Sequence, residues 1–261
     1  MLTIAGSDPS GGAGIQADLK TATALGVYGA AALTALTVQN TRGVFGIHPV
    51  PAAFVAEQVR AVLDDLDVSV VKIGMLGTVE IVLAVADVLH TADVPVVLDP
   101  VMVATSGDTL VGEDVVDTIR TTLLPLAAVV TPNVPEAAVL TGTAPATDPH
   151  GLATAGRALR AAGAAAALVK GGHLESPESI DVLVDAEGAC TYRAPRIDSP
   201  NTHGTGCTLA SAIASGLALG LPLREAVGEA KDYLTGALRS GAEHSVGRGH
   251  GPVDHLWRAR R

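Results

Sequence analysis

Aromatic residues make up only 2% of this 261-residue chain: two Phe, three Tyr and one Trp. Its core therefore has to be assembled from Ala, Val, Leu and Ile, small side chains that suit closely stacked helices and strands. Cysteine is nearly as scarce, and two residues, Cys190 and Cys207, exclude a disulfide framework. No apolar stretch approaches the length of a membrane span without Gly, Pro or charge. The opening MLTIAGSD reaches a charge at Asp8 with no basic, apolar leader. Positive charge is short as well. A formal net charge of −10 argues against nucleic acid or an anionic membrane as the main partner. A small anionic substrate remains open, because a few local donors outweigh a net charge. Only four lysines occur, Lys20, Lys72, Lys170 and Lys231, against thirteen arginines, so a lysine inside an apolar stretch stands out. A soluble, cytoplasmic protein is the expectation.

Short β-branched runs alternate with helical patterns. Strands are expected at 2–6, 31–39, 68–74, 94–100, 127–133 and 165–172, and their near-continuous apolar character fits burial on both faces. Helices are expected at 51–66, opened by Pro51, and at 78–90, capped by Thr78. Further helices are expected at 150–162, 205–219 and 222–239. One stretch breaks the rhythm: 181–197 reads as a hairpin turning at Glu187-Gly188. The alternation predicts one α/β domain over 1–261, with a mostly parallel sheet and helices on both sides. In such sheets ligands sit beyond the carboxyl ends of the strands. The unusual residues fall there: GSDPSGGAG after the first strand, Gln39 after the second, GML after the third, Asp99, NVPE and KGGH after the next three.

The stretch THGTGC (202–207) places a glycine turn and a thiol at the start of a helix. Successive N–H groups and the positive helix end make an anion site, and the same field is expected to depress the Cys207 pKa. Read alone, it serves equally as an oxyanion hole with a base or as a glycine turn before a packed helix. The loop AGSDPSGGAG (5–14) matches neither a Walker loop nor a dinucleotide fingerprint. Asp8 and Asp18 near it are candidate acceptors for a hydroxyl or amine; a flexible connecting loop is the plainer reading. Asp99, Asn133 and Glu136 supply hard oxygens suited to Mg2+, although Glu136 can instead cap the next helix. Lys170 before Gly171-Gly172 can reach a phosphate or snorkel to solvent. Lys72 in VVKIG reads as structural. His48, His150 and His173 show no metal-ligand spacing. Gln39 offers a donor and an acceptor together, matching an aminopyrimidine edge, or it caps a backbone group at the strand end.

Together AGSDPSGGAGIQADLKT, QNTRGV, KIGML, TPNVPEA, LVKGGH, NTHGTGCTL and GHGPVDH resemble the bacterial hydroxymethylpyrimidine (phosphate) kinases of thiamine biosynthesis, members of the ribokinase-like superfamily, from Leu2 to His255. The resemblance implies a three-layer α/β/α sandwich and commonly a homodimer. It implies two ATP-dependent steps at one site, pyrimidine to monophosphate and monophosphate to diphosphate. It implies Cys207 where many superfamily members carry an aspartate base, with Gly204, Thr205 and Gly206 lining the anion hole. Lys170, Asn133 and Thr202 are expected at ATP, and Asp99 and Glu136 at Mg2+. Gly6, Asp18, Gln39 and Met75 are expected around the pyrimidine. The chain begins almost at the first strand, which is therefore expected to be short. The rival readings are a pyridoxal kinase of the same superfamily and a pyrimidine-binding protein without catalysis.

Overall fold

The computed structural model describes residues 1–102, 110, 112–172 and 174–260, so His173 lies outside the described residues. The chain opens with β1 (Leu2–Ser7), α1 (Gly14–Ala24), β2 (Ala30–Asn40) and β3 (Gly43–Pro49). Then come α2 (Ala52–Asp65), β4 (Val71–Ile73), α3 (Val79–His90), β5 (Val96–Leu98) and α4 (Glu113–Thr118). The second half runs β6 (Ala127–Val130), α5 (Val134–Thr141), α6 (Pro149–Ala161), β7 (Ala167–Lys170), β8 (Glu178–Asp185), β9 (Gly188–Pro195), α7 (Thr205–Ala218) and α8 (Leu223–Gly241).

These strands make one nine-stranded sheet in the order β3-β2-β1-β4-β5-β6-β7-β8-β9. The run from β2 to β7 is parallel, and β3, β8 and β9 pair antiparallel at the two edges. Crossovers between parallel strands are right-handed. The chain first steps from β1 to β2 and then resumes on the other side of β1 at β4. The reversal puts α1 on one face of the sheet and α2 to α6 on the other. A crevice opens at that reversal, beyond the carboxyl ends of β1 and β4.

Alternation along the strands fills both layers. Leu2, Ile4, Val71, Ile73, Leu98 and Val169 meet the α2–α6 face. Val97, Val129, Leu168 and Leu183 meet α7 and α8. Small residues let those two helices close on each other: a Cβ on Gly216 would come within 2.9 Å of Ala226 Cβ. Thr3 and Lys72 interrupt this second layer as buried polar residues, and they pair in register.

Every expected strand and helix is present, the inner strands shorter than the apolar runs that suggest them. Thr78 caps α3 as expected, its side chain accepting from Ile81 N. The first strand is six residues long and not curtailed. The hairpin turns one residue early, at Ala186-Glu187, because Gly188 already pairs with Asp185. A second hairpin, β2–β3, has no counterpart in the sequence reading. Its edge strand GVFGIHP carries Gly and Pro, and its large apolar residues Phe45 and Ile47 face outward, so it lacks a buried-strand signature.

Candidate active site

The start of α7 is shaped by two glycines. Gly204 is its N-cap with φ +79°, and a Cβ there would collide with the Gly12 carbonyl oxygen. The first loop is thereby pressed against the helix start, which only glycine permits. Thr205, Gly206 and Cys207 form the first turn, whose N–H groups have no partner within the helix. A Cβ on Gly206 would lie 3.3 Å from Lys170 Nζ and 3.7 Å from Asp99 Oδ2. The ends of β5 and β7 thus converge on the positive end of α7.

At that junction Lys170 Nζ donates to Asp99 Oδ1 at 2.8 Å, and Thr131 Oγ1 donates to the same oxygen at 3.0 Å. Burial opposes the Asp99 charge, but Lys170 and Lys72 hold its carboxyl below the usual range. Burial likewise opposes the Lys170 charge, and Asp99 and Glu136 hold it above its ordinary value. Asn133 and Glu136 form a capping box at α5: Glu136 N donates to Asn133 Oδ1 at 2.9 Å and Asn133 N donates to Glu136 Oε2 at 2.8 Å. Helix capping and exposure to the cavity therefore coexist, since both residues line it. Burial, with Asp99 adding to it and Lys170 opposing, pushes the Glu136 carboxyl up to about 7.

These two buried carboxylates fit a divalent cation. Their mutual repulsion is what a cation relieves, and Mg2+ beside nucleotide phosphates commonly takes one or two protein carboxylates. No cluster of three or more His, Cys, Asp or Glu suited to a metal occurs among the described residues.

Cys207 departs from expectation. Burial pushes its thiol up to about 11; Lys72 and the Gly14 backbone pull it down, while Asp18 and Asp99 push it further up. The helix field does not offset desolvation and two carboxylates, so the expected depression is absent.

Asp18 requires a second correction, because it does not line the cavity. It is fully buried beneath it. Its carboxylate accepts from Lys72 Nζ at 2.9 Å to each oxygen, from Thr3 Oγ1 at 2.6 Å and from Ser211 Oγ at 2.6 Å. Four hydrogen bonds from these three donors occupy its lone pairs and leave none for a ligand. Lys72, read from the sequence as structural, is the cation of this cluster and also lines the cavity.

The other expected residues do meet. Gly6, Gln39, Met75 and Thr202 line one cavity of about 720 Å3 together with Lys170 and Cys207. A Cβ on Gly6 would lie 2.8 Å from Met75 Cε. Thr34 Oγ1 fixes Met75 by donating to its carbonyl at 2.7 Å. Gln39 sits in β2, its Oε1 accepting from Thr37 Oγ1 at 3.1 Å.

The first loop is pinned, not flexible. Asp8 accepts from Ser10 N at 2.8 Å, Ser10 Oγ at 2.9 Å, Gly12 N at 3.1 Å and Ala13 N at 2.9 Å, and pairs with His203 Nε2 at 2.8 Å. Asp8 is thus a loop organiser and not a free acceptor. Sequence reasoning missed His203 because its partner lies 195 positions away. It also missed Lys231, which donates to Asp181 at 2.6 Å. Lysine scarcity was the available signal: three of the four lysines, Lys72, Lys170 and Lys231, are paired with aspartates.

A family model described as phosphomethylpyrimidine kinase matches residues 8–254. The chain is 54% identical to the thiamine biosynthesis bifunctional protein ThiED of Geobacter sulfurreducens over 98% of its own length, and spans about half of that relative, 52%. It is 52% identical to the hydroxymethylpyrimidine/phosphomethylpyrimidine kinase of Rhizobium meliloti, covering 98% of this chain and 97% of the relative. Among solved structures it is similar to Bacillus subtilis pyridoxal kinase in complex with ADP, with TM-score 0.92 at 35% identity over 100% of this chain and 98% of the other. It is also similar to the phosphomethylpyrimidine kinase of Clostridium difficile, with TM-score 0.80 at 41% identity over 90% and 96%. The ribokinase-like fold expected from the motifs is the fold observed.

Proposed function

The chain belongs to the phosphomethylpyrimidine kinase family, and on that premise we propose that it transfers the γ-phosphoryl group of ATP to hydroxymethylpyrimidine and then to the resulting monophosphate, within thiamine biosynthesis. Residues 1–261 act as one kinase domain in this reading, in the cytoplasm. Among the described residues no helix is long and apolar enough to cross a membrane.

The observation that carries the reading is the convergence at Gly206. Lys170, Asp99 and the N–H groups of α7 meet there, in the same cavity as Gly6, Gln39 and Met75. The pyrimidine packs against Gly6 and Met75, and Gln39 reads its ring nitrogen and amino group. Its hydroxymethyl group points to Cys207. The triphosphate runs past Asn133 and Thr202 to Lys170. Asp99 and Glu136 would hold a Mg2+ ion, which would supply neutralisation of phosphate charge. Phosphoryl transfer rests chiefly on positioning and charge neutralisation. Gly204 and Gly206 supply backbone donors for the transferring group beside Thr205, whose own N–H donates to Thr202 O at 3.3 Å, and Lys170 supplies positive charge.

A neutral thiol suits the second acceptor. The monophosphate oxygen is already largely ionised near neutrality, its second pKa being about 6, and an aspartate in place of Cys207 would repel it. The homodimer belongs to the same reading, with the exposed β2–β3 hairpin as its contact surface.

The test is product analysis by mass spectrometry. Purified protein and Mg-ATP are supplied with hydroxymethylpyrimidine, its monophosphate or pyridoxal, separately and in competition. Mono- and diphosphate from the pyrimidines, with pyridoxal slow, are expected. Dominant pyridoxal phosphate with no pyrimidine diphosphate would overturn the reading, as would ATP binding with no product at all.

A further inference from the structure

The strand end that carries Lys170 is held by two residues, Asp181 and Lys231, that line the same cavity. Asp181 on β8 is the register partner of Lys170 on β7. Its Oδ1 accepts from Gly171 N at 2.9 Å, and its Oδ2 accepts from Lys231 Nζ on α8 at 2.6 Å. Ser179 Oγ accepts a second bond from Lys231 at 2.9 Å. The Lys231 and Asp181 side chains are only 7% and 5% exposed.

A buried ion pair is weak evidence for stability, since well-packed apolar residues of similar volume often do as well or better. Here the pair has a specific backbone target. A Cβ on Gly171 would run into the Ile180 carbonyl oxygen, so residue 171 cannot carry a side chain that anchors it. Its amide is the handle left. On the other side, Arg196 donates to Gly172 O at 2.9 Å and to Leu174 O at 2.7 Å. The backbone directly after Lys170 is thereby clamped, with the buried arm acting next to the lysine itself.

We propose that Asp181 and Lys231 are positioning residues: the chain of contacts from Lys231 through Asp181 to the Gly171 amide fixes the backbone from which Lys170 reaches the transferred phosphoryl group. The inference rests on the kinase reading given above. Its energetic sense is that a displacement of order 1 Å at a phosphate-binding group can cost about 100-fold in rate.

Three variants test it: Lys231→Met, Lys231→Arg and Asp181→Asn, each alone and with Lys170→Met. In Asp181→Asn an amide nitrogen facing Lys231 has to turn away, at the expense of the bond to Gly171. Lys231→Met and Asp181→Asn are expected to lower kcat about 10- to 100-fold with KM for Mg-ATP within about threefold, and Lys231→Arg to recover most of the loss. In the Lys170→Met background the same changes are expected to cost less than about twofold more, because the group they position is gone. Equal losses in both backgrounds, or a rise in KM at unchanged kcat, would overturn the proposal. Hydrogen-exchange mass spectrometry of the 168–172 segment gives a readout independent of turnover. Lys231→Met must speed exchange there and Lys231→Arg must restore protection; unchanged exchange overturns the proposal even if a variant is inactive. Turnover is followed on whichever acceptor the wild type phosphorylates. A wild type that phosphorylates no acceptor sinks the kinase reading, while the exchange result still decides the clamp.

Discussion

Lys72 Nζ lies 2.9 Å from each carboxylate oxygen of Asp18, and neither side chain is exposed to solvent. The pair joins β4 to α1, and Ser211 ties α7 to the same carboxylate. Removing one partner leaves a buried charge uncompensated, which costs about 3–5 kcal/mol. Asp18→Asn is therefore expected to lower unfolding stability by about that amount in denaturant titration, while KM for the pyrimidine stays within about twofold. A rise in KM without loss of stability would return Asp18 to the substrate pocket.

In the proposed mechanism Cys207 is expected to separate the two reactions. With its thiol pushed up to about 11, the anionic fraction below that value rises about tenfold per pH unit. Phosphorylation of the alcohol is expected to accelerate between about pH 7 and 9, while phosphorylation of the monophosphate stays nearly flat above its own pKa of about 6. Cys207→Ala is expected to abolish the acceleration and slow the alcohol step about 100-fold or more, the usual scale of a general base. Its effect on the phosphate step should stay within about threefold. Single-turnover rates against pH check both, and equal losses in the two steps would remove Cys207 from proton transfer.

How much of this was legible from the residues follows from the range of each interaction. The strand and helix pattern is local, so the alternation of β-branched runs and helical repeats foretells the layered sheet. Residues gathered at strand ends, such as Asp99 and Lys170, were also legible, because the parallel topology brings their carboxyl ends to one side. Asp18 was misplaced because its position on α1 says nothing about depth. Only its contacts with Thr3, Lys72 and Ser211 show that it lies under the floor. The Cys207 pKa was misjudged because the helix field is visible in the sequence, whereas desolvation and two nearby carboxylates are not. The β2–β3 hairpin escaped notice because its apolar side chains are exposed and so leave no buried-strand pattern.

Asp8 makes the first loop sensitive to acid. Burial favours its neutral form, but the bonds from His203 and Ser10 and the field of His203 bring its pKa down from 3.8 to about 2. A carboxyl whose folded pKa is depressed stabilises the fold fully above the unfolded value, and the gain disappears as pH falls through the folded one. Between about pH 4 and pH 2 the wild type is expected to lose about 1–2 kcal/mol that Asp8→Asn does not lose. Urea titrations across that range check the difference. Parallel pH profiles for the two proteins would mean that Asp8 does not pin the loop through its charge.

The β2–β3 hairpin exposes apolar side chains on both of its faces. Leu36 and Val38 alternate on β2 with exposures of 48% and 65%, and Phe45 and Ile47 on β3 with 65% and 40%. Register puts Ile47 opposite Thr37 and Gly46 opposite Val38, so the two pairs point to opposite sides of the ribbon. A two-stranded edge carrying apolar residues on both sides is marginal alone and gains from a covering surface. In a two-fold arrangement the same edge can serve both partners. Gln39 belongs to this strand and lines the cavity, so a covering surface is expected to steady one wall of the candidate site as well. In sedimentation velocity the wild type is expected to run as a dimer and the double variant Val38→Asp/Phe45→Asp as a monomer. The variant's KM for the pyrimidine is expected to rise about 3- to 10-fold, with KM for Mg-ATP within about twofold. A wild-type monomer, or a dimer that survives both aspartates, would assign the dimer contact elsewhere and leave the hairpin as an exposed edge only.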